Sequence, residues 1–171
     1  MAEHEPAVRR LCVAAAPADA APGLLTLIQE SDGFYRLYVT PGPEGIELAF
    51  AAPGLDEMSL VTDLIDAMRR KAAATPGTRR PALASFHVGM TKVVGEGLGG
   101  SGADRALALV RDPAVRMAAA SADYAVRLAV VVTAGLFADL RAEGFHGTGW
   151  LAVPSADAWL KLFDTAPGDK H

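Results

Sequence analysis

Cysteine is almost absent from this sequence, which contains a single one, Cys12. One cysteine can form no intramolecular disulfide, and it supplies no pair of thiolates for a structural zinc site. Cys12 lies inside the apolar run at residues 11–16, where a small buried strand residue is the favoured interpretation. The cysteine content therefore predicts a protein of a reducing compartment, and we expect a cytoplasmic location.

Long apolar runs are also missing. No hydrophobic stretch approaches the roughly 20 residues that a membrane-spanning helix needs. The chain starts with MAEHEPAVRR, which is polar and acidic where a secretory signal needs positive charge followed by an apolar core. We therefore expect no membrane partner and no targeting segment.

Positive charge is neither abundant nor concentrated. The 16 Lys and Arg residues are outnumbered by 20 Asp and Glu residues, which gives a formal net charge of −4. The basic residues occur as short dispersed groups, such as Arg9-Arg10 and Arg69-Arg70-Lys71. A phosphate backbone is bound by a basic stripe or patch, so nucleic acid is not an expected partner.

The composition that remains is that of an ordinary globular domain. The chain has 171 residues, of which 51% are hydrophobic and 21% charged, and this is enough for a substantial core. We assign one domain to residues 9–165 and expect flexible ends at residues 1–8 and 166–171. The order of predicted elements favours an α+β fold, specifically a ferredoxin-like split βαβ sheet with helices packed mainly on one face.

The predicted elements follow from apolar spacing. Alternating or continuous apolar residues predict strands, and apolar residues three and four positions apart predict helices. Strands are predicted at residues 11–16, 34–40, 46–51, 81–94, 126–133 and 149–153, and helices from about residues 22, 56, 103, 114, 136 and 155. The strand at 81–94 is so long that it should bend near Gly89 or project beyond the sheet as an arm. Ser155 is the expected N-cap of a terminal helix that carries Trp159 and Phe163.

Residues 80–112 organise the rest of the chain. They combine an apolar strand, a turn with five glycines within residues 95–102, and a new helical pattern. A strand that turns into a helix in this way is a common place for ligands or partners. We therefore expect the function to lie near residues 89–104.

Other patterns in this stretch are weaker. Residues 95–100 satisfy the dinucleotide motif G-x-G-x-x-G, but Glu96 would repel a pyrophosphate and the motif lies in the middle of the chain. Ser101 is a near match to a nucleophile elbow with one glycine displaced. His87 lies in an apolar strand, where a hydrogen-bonded core or edge histidine is favoured over a metal ligand. At the start of the next helix, Asp104 favours simple capping over anion binding.

Five motifs also follow one another in a specific order. They are a hairpin with an acidic tip at Pro43-Glu44-Gly45, a strand ending His87-Val88-Gly89, a glycine-rich loop, a helix of the form Ala-Asp-x-Ala-x-x-Leu at residues 103–109, and a strand ending Val-Val-Thr at residues 131–133. In this order and spacing the chain resembles a class III nucleotide cyclase homology domain over residues 9–153. Divergent copies of that domain act as regulatory modules, and active cyclases work as dimers. The resemblance therefore implies an α+β fold and self-pairing.

The resemblance also implies the residues that catalysis would require. Active cyclases use two aspartates for divalent metals, one at the end of the first strand and one in the hairpin, and an asparagine and an arginine on the helix after the glycine loop. Here no acid follows the first strand before Asp19, and the hairpin keeps only Glu44. Asp104 and Ala108 take the asparagine and arginine positions. Metals and a cation stabilise the phosphate charge of the transition state, so the losses predict negligible cyclase activity.

The expected function is therefore a non-catalytic regulatory or interaction module of bacterial signalling or conflict response. It needs no cofactor or metal, pairs with itself or with another protein, and senses a nucleotide-like small ligand. The candidate ligand or interface residues are His87, Gly89, Met90, Val93, Val94, Gly97, Gly99, Gly100 and Asp104. The alternative is a divergent nucleotidyl cyclase or transferase that acts on a nucleoside triphosphate with Mg²⁺ or Mn²⁺, bound by Asp19, Glu44, Glu96 and Asp104.

Overall fold

Strands and helices follow the chain in an order close to the predicted one. The structure is a computed structural model and describes residues 6–17, 23–31, 37–74, 80–122 and 125–164. Its strands are β1 (Val8–Ala16), β2 (Leu37–Pro41), β3 (Glu47–Ala51), β4 (Ala82–Val94), β5 (Gly97–Gly99), β6 (Val126–Thr133), β7 (Leu151–Val153) and β8 (Ala158–Asp164). Its helices are α1 (Leu24–Ser31), α2 (Glu57–Ala74), α3 (Ser101–Arg111), α4 (Pro113–Ala120) and α5 (Ala134–Ala142). None of the helices in these ranges has both the length and the apolar character needed to cross a membrane.

Most predicted elements are confirmed with shifted ends. The predicted strand at residues 34–40 is observed as β2 from Leu37 onward, and residues 34–36 lie outside the described ranges. The predicted helix start near residue 22 also lies outside them, as do the chain ends at residues 1–5 and 165–171. Strand β1 begins at Val8, within the segment predicted to be flexible.

The sheet mixes antiparallel and parallel pairing. Seven strands form one path in the order β2-β3-β1-β4-β6-β8-β7, and β5 pairs with β4 outside this path. Neighbouring strands are antiparallel except β4 and β6, which run parallel. Strand β3 lies between β1 and β2, so α1 connects two strands that are not neighbours. The predicted α+β class is confirmed.

Helices cover both faces of the sheet. In β1, Leu11 and Val13 belong to one core with α1, α2 and α5, whereas Cys12 and Ala14 belong to a second core with α3 and α4. The prediction of helices mainly on one face is therefore wrong. In a strand, a continuous apolar run such as residues 11–16 places apolar side chains on both faces of the sheet. Each face must therefore be covered by its own layer of helices.

Residues 158–164 form a strand, so the predicted terminal helix is wrong. Strand β8 lies between β6 and β7, and the turn Pro154–Ala156, which contains Ser155, reverses the chain from β7 into β8. Trp159 and Phe163 pack with the core under α2, whereas Leu160 belongs to the core under α3. A strand buried on both faces has apolar residues at nearly every position. Some of them therefore also lie three or four positions apart, which is the spacing that predicts a helix.

Strand β4 is longer than both of its neighbours. It pairs with β6 as far as Phe86 and with β1 as far as Thr91, and residues 92–94 pair with β5. The predicted projecting arm is confirmed as a two-stranded hairpin. Its two-residue turn begins at Gly95, whose φ of +61° is free of strain only for glycine.

Helix α3 approaches β4 closely at a pair of glycines. A Cβ atom on the buried Gly102 would lie 2.9 Å from the carbonyl carbon of Gly89 and 3.0 Å from the Sγ of Cys12. A Cβ atom on Gly89 would in turn lie 2.7 Å from the Cα of Gly102. Both glycines are needed for the helix and strand to touch, and this contact sets the position of α3 directly after the hairpin.

We expect Gly102→Ala to lower the free energy of unfolding by about 1–3 kcal/mol, because the added methyl group overpacks the contact with Gly89. Urea unfolding measures the change. Gly135→Ala is the matched control, because Gly135 is an exposed glycine of α5 with no atom within 4 Å of an added Cβ. The control should stabilise the protein by up to about 1 kcal/mol. Equal effects of the two substitutions would contradict the close contact.

Candidate functional site

Most of the predicted site residues lie on or beside the hairpin formed by β4 and β5. The hairpin surface is defined as Met90, Val93, Val94 and residues 95–99. Two of the predicted glycines, Gly97 and Gly99, lie in its return strand β5. The other predicted residues lie at the base of the hairpin or in α3: His87, Gly89, Gly100 and Asp104.

The hairpin surface is apolar and exposed. Met90, Val93 and Val94 expose 45%, 52% and 54% of their surface. The other large apolar side chains with comparable exposure in the described ranges stand singly on β2, α4 and β7, and they are Tyr38, Met117 and Leu151. Single exposed apolar residues are normal on protein surfaces, whereas a group of them marks an interaction site. The hairpin is therefore the strongest candidate for a contact with another molecule.

Hydrogen bonds to β1 anchor the base of this hairpin. The Nε of Arg10 donates to the Oγ1 of Thr91 at 3.0 Å, and the Thr91 hydroxyl donates to the carbonyl oxygen of Val8 at 2.9 Å. Leu98, which is opposite Val93 in β5, packs against the core under α3. These contacts fix the direction in which the hairpin leaves the sheet. Its exposed side chains are thus presented by an anchored pair of strands.

The glycines of this segment have geometric roles. Gly100 has a φ of +109°, and a Cβ atom on it would lie 3.0 Å from the carbonyl oxygen of Met90. A Cβ atom on Gly99 would lie 3.2 Å from the Cγ2 of Val94. The backbone N–H of the exposed Asp104 donates to the carbonyl oxygen of Gly100 at 3.0 Å, which is an ordinary first bond of a helix. The hairpin and its turn into α3 account for the glycine pattern, which needs no phosphate to explain it.

His87 and Cys12 are opposite each other on β4 and β1, on the face that α3 covers. The Nδ1 of His87 and the Oγ1 of Thr133 are 3.0 Å apart. Burial and the guanidinium of Arg105 lower the pKa of His87, so its imidazole is neutral near pH 7. Burial raises the pKa of Cys12 to about 12, so its thiol stays protonated and is a poor nucleophile. The half-buried, hydrogen-bonded His87 matches the core or edge interpretation.

A buried carboxylate lies at the N-terminus of α1. Glu47 is 9% exposed, and it accepts hydrogen bonds from the backbone N–H of Leu25 at 2.9 Å, from the backbone N–H of Thr26 at 3.0 Å, and from the Thr26 hydroxyl. Glu47 starts β3 and is paired with Ala15 near the end of β1. Gly23 is required beside it, because a Cβ atom there would collide with the carboxylate. A negative charge of the chain itself therefore occupies the positive end of α1.

Three of the acids that the metal-dependent alternative requires, Glu44, Glu96 and Asp104, are described by the structure, and they are not gathered into one group. Glu44 is exposed and pairs with Arg111 at 3.6 Å, a contact between two solvent-exposed side chains. Glu96 is exposed in the hairpin turn, Asp104 is exposed on α3, and Asp19 lies outside the described ranges. Within the part of the chain that the structure describes, no three His, Cys, Asp or Glu side chains are arranged to hold a metal ion.

Sequence reasoning missed Glu47. The alternation of residues 46–51 placed Glu47 opposite the apolar face of β3, where an acid is normally solvated. In the fold α1 covers that second face as well. A signal was available, because Gly23 precedes α1 where a Ser, Thr, Asp or Asn cap is usual, and the free N–H groups of that helix then require an acceptor from elsewhere.

No protein-family model and no curated protein matches this chain. The resemblance to a class III cyclase rests on the order of its motifs and stays a prediction. Function is therefore inferred from two observed features. They are the exposed hairpin surface and the helix N-terminus filled by Glu47.

We expect Glu47→Ala to lower the free energy of unfolding by about 1–3 kcal/mol, because the N–H groups of Leu25 and Thr26 lose their acceptor. Urea unfolding measures the loss. Glu44→Ala is the matched control, three residues earlier in the β2–β3 connection, and its exposed ion pair with Arg111 should contribute less than about 1 kcal/mol. A Glu47→Ala loss no larger than that of the control would show that the carboxylate is not part of the α1 cap.

Proposed function

We propose that this protein is a non-catalytic regulatory or interaction module that pairs with a second copy of itself through the hairpin surface. The observation that carries the proposal is the group of exposed apolar side chains, Met90, Val93 and Val94, on a strand pair anchored to β1. Burial of such side chains against a partner removes apolar area from water. A cytoplasmic location belongs to the same proposal and rests on the single, buried Cys12.

A cyclase-like scaffold is part of the proposal. The order β2-β3-β1-β4, with α1 and α2 on one face, supports a ferredoxin-like split βαβ unit. The hairpin after β4 and the helix after the hairpin follow in the order that the resemblance implies. Active cyclases pair as dimers, so a copy without the catalytic charges can keep the pairing surface.

The distribution of charge supports the loss of turnover. The resemblance implies metal-bound phosphates between the end of β1 and the hairpin that contains Glu44. In this protein the carboxylate of Glu47 lies at that end of the sheet, beside Ala15, and occupies the N–H groups of α1 that a phosphate would need. Ala108 supplies no cation at the expected arginine position. Each missing charge removes transition-state stabilisation, and even a single neutral oxyanion-hole donor is worth about 2.7–4 kcal/mol.

Two-fold symmetry would make the proposed contact self-complementary. Lys92 and Glu96 are both exposed on the hairpin. Successive side chains of a strand point to opposite sides, so Met90 and Val94 lie on one side of the hairpin and Val93 on the other. If two hairpins pair edge to edge in antiparallel orientation, the lysine of each copy approaches the glutamate of the other, and apolar side chains on both sides lose part of their contact with water. One hairpin is small beside the roughly 1,600 Å² buried in stable complexes, so we expect a dimer that depends on protein concentration.

The substitution of both Val93 and Val94 by Asp should abolish this dimer, because two buried charges without partners would oppose association. Sedimentation equilibrium should show the wild type rising toward twice the chain mass of 17.8 kDa with concentration, and the variant remaining at that mass. Met117→Asp is the control, because Met117 is 72% exposed but lies on α4. A wild type that stays monomeric, or a dimer that survives the double substitution, would refute the proposed pairing.

Incubation with each common nucleoside triphosphate and either Mg²⁺ or Mn²⁺ should release no pyrophosphate above a protein-free blank. The reason is that the described residues contain no group of three His, Cys, Asp or Glu side chains for a metal ion, and that Ala108 takes the expected arginine position. A rise in melting temperature with nucleotide, without product, would support sensing of a nucleotide-like ligand. Release of pyrophosphate that Glu44→Ala abolishes would instead support the nucleotidyl cyclase or transferase alternative.

A further inference from the structure

A cavity lies between α2, the end of α5 and β8, and it shares no residue with the hairpin surface. Its volume of about 510 Å³ is within the range of roughly 300–1,000 Å³ that small-molecule sites occupy. Apolar side chains form much of its wall: Met58, Ile65, Leu140, Phe145 and Phe163. The cavity is therefore large enough and apolar enough to hold the body of a small organic molecule.

Two cations contact one aromatic ring at this cavity. The guanidinium carbon of Arg69 lies 4.9 Å from the centroid of the Phe163 ring, and the Nζ of Lys161 lies 5.1 Å from it. Phe163 is only 7% exposed, so the core holds its ring in place. Arg69 belongs to α2 and Lys161 to β8, and cation–π attraction keeps both charged groups at the cavity wall.

Neither of these cations forms an ion pair with a carboxylate of the residues that the structure describes. Among the described residues, no Asp or Glu oxygen lies within 4.0 Å of the Arg69 guanidinium or the Lys161 ammonium. Burial and the positive charge of Arg69 lower the pKa of Lys161, which is the direction expected for an ammonium without a counter-ion. An anion placed between the two groups would relieve their mutual repulsion.

Three acids also line the cavity, but they are exposed to solvent, whereas the two cations are half-buried. The carboxylate of Asp56 accepts hydrogen bonds from the backbone N–H of Ser59 at 3.3 Å and from its hydroxyl at 2.7 Å, so it is committed to the start of α2. Asp66 and Glu143 also line the cavity but are exposed to solvent. Water screens such exposed charges more effectively than the half-buried Arg69 and Lys161. The acids disfavour a polyanion, and the cations favour a ligand with one anionic group.

We propose that this cavity binds a small organic anion, in which a single carboxylate or phosphate group is attached to an apolar body. The anionic group lies between Arg69 and Lys161, and the apolar body lies against Phe145 and Met58. The charge-assisted hydrogen bonds orient the ligand, and the apolar wall adds affinity. The proposal is independent of self-pairing, because the two surfaces have no residue in common.

Phenyl phosphate and benzoate are the test probes, and their separate titrations distinguish the two kinds of anionic group. Binding is read by calorimetry and by the fluorescence of the chain's two tryptophans, Trp150 and Trp159. Trp150 reports directly on the wall, because its ring lies 5.8 Å from that of Phe145 and 6.5 Å from that of Phe163. We expect at least one probe to bind saturably at one site per chain. Benzyl alcohol, benzylamine and inorganic phosphate should each bind at least about tenfold more weakly.

Variants of the two cations locate the site. Lys161→Gln and Arg69→Gln should each weaken binding of the anionic probe by about tenfold, and Lys161→Arg should retain it. Arg80→Gln, which removes an exposed arginine that lies outside both the cavity and the hairpin surface, should leave the affinity unchanged. Urea unfolding of each variant confirms that it is folded. If one Gln variant is not folded, the other Gln variant and Lys161→Arg still test the site.

Three outcomes would overturn the proposal. One is that neither anionic probe binds the wild type. Another is that benzyl alcohol or inorganic phosphate binds as tightly as the best anionic probe. The third is that neither Gln variant weakens the binding. Sedimentation of the same samples separates this result from the proposed function, because loss of probe binding with an intact dimer refutes only the cavity.

Discussion

The apolar character of both faces of β1, β4 and β6 is the constraint on which the rest of the structure depends. One face packs on α1, α2 and α5, and the other packs on α3 and α4. The chain must reach the second face after β4, and it does so by running past the end of the sheet and returning through β5. The backbone contact of Gly89 with Gly102 then seats α3. The hairpin surface is thus a consequence of how the second helical layer is connected.

Acidic side chains serve the ends of helices in several places. Glu47 fills the N-terminus of α1, Asp56 contacts Ser59 at the start of α2, and Asp112 accepts hydrogen bonds from the first N–H groups of α4. A carboxylate in such a position satisfies N–H groups that have no partner within the helix. Each of these acids is committed to a different helix, and they form no metal-binding group among the described residues. The arrangement stabilises the fold and leaves them poorly placed to share a metal ion.

Two places among the described residues have interactions left open. At the hairpin surface apolar area is exposed to water, and at the α2–β8 cavity two cations form no ion pair with a described carboxylate. As proposed, the first would bind an apolar partner surface and the second an anion, so the two sites would select different chemistry. They lie on different elements, which makes partner binding and ligand binding separately measurable in this protein.

Local patterns in the sequence by itself determined α2, the hairpin of β2 and β3, the buried β6 and the excess length of β4, because each follows from apolar spacing within one segment. The glycines of residues 95–102 likewise predicted a turn but not its purpose. Only the tertiary structure decided that residues 158–164 form a strand, that Glu47 caps a helix 22 residues earlier in the chain, and that Arg69 and Lys161 contact the same ring. The physical reason is that spacing specifies which side chains are apolar, whereas the order of strands and the layer above each face specify which distant residues touch. A buried strand with two apolar faces has no period of its own, and a lone Glu or Lys acquires its role from whatever the fold packs beside it.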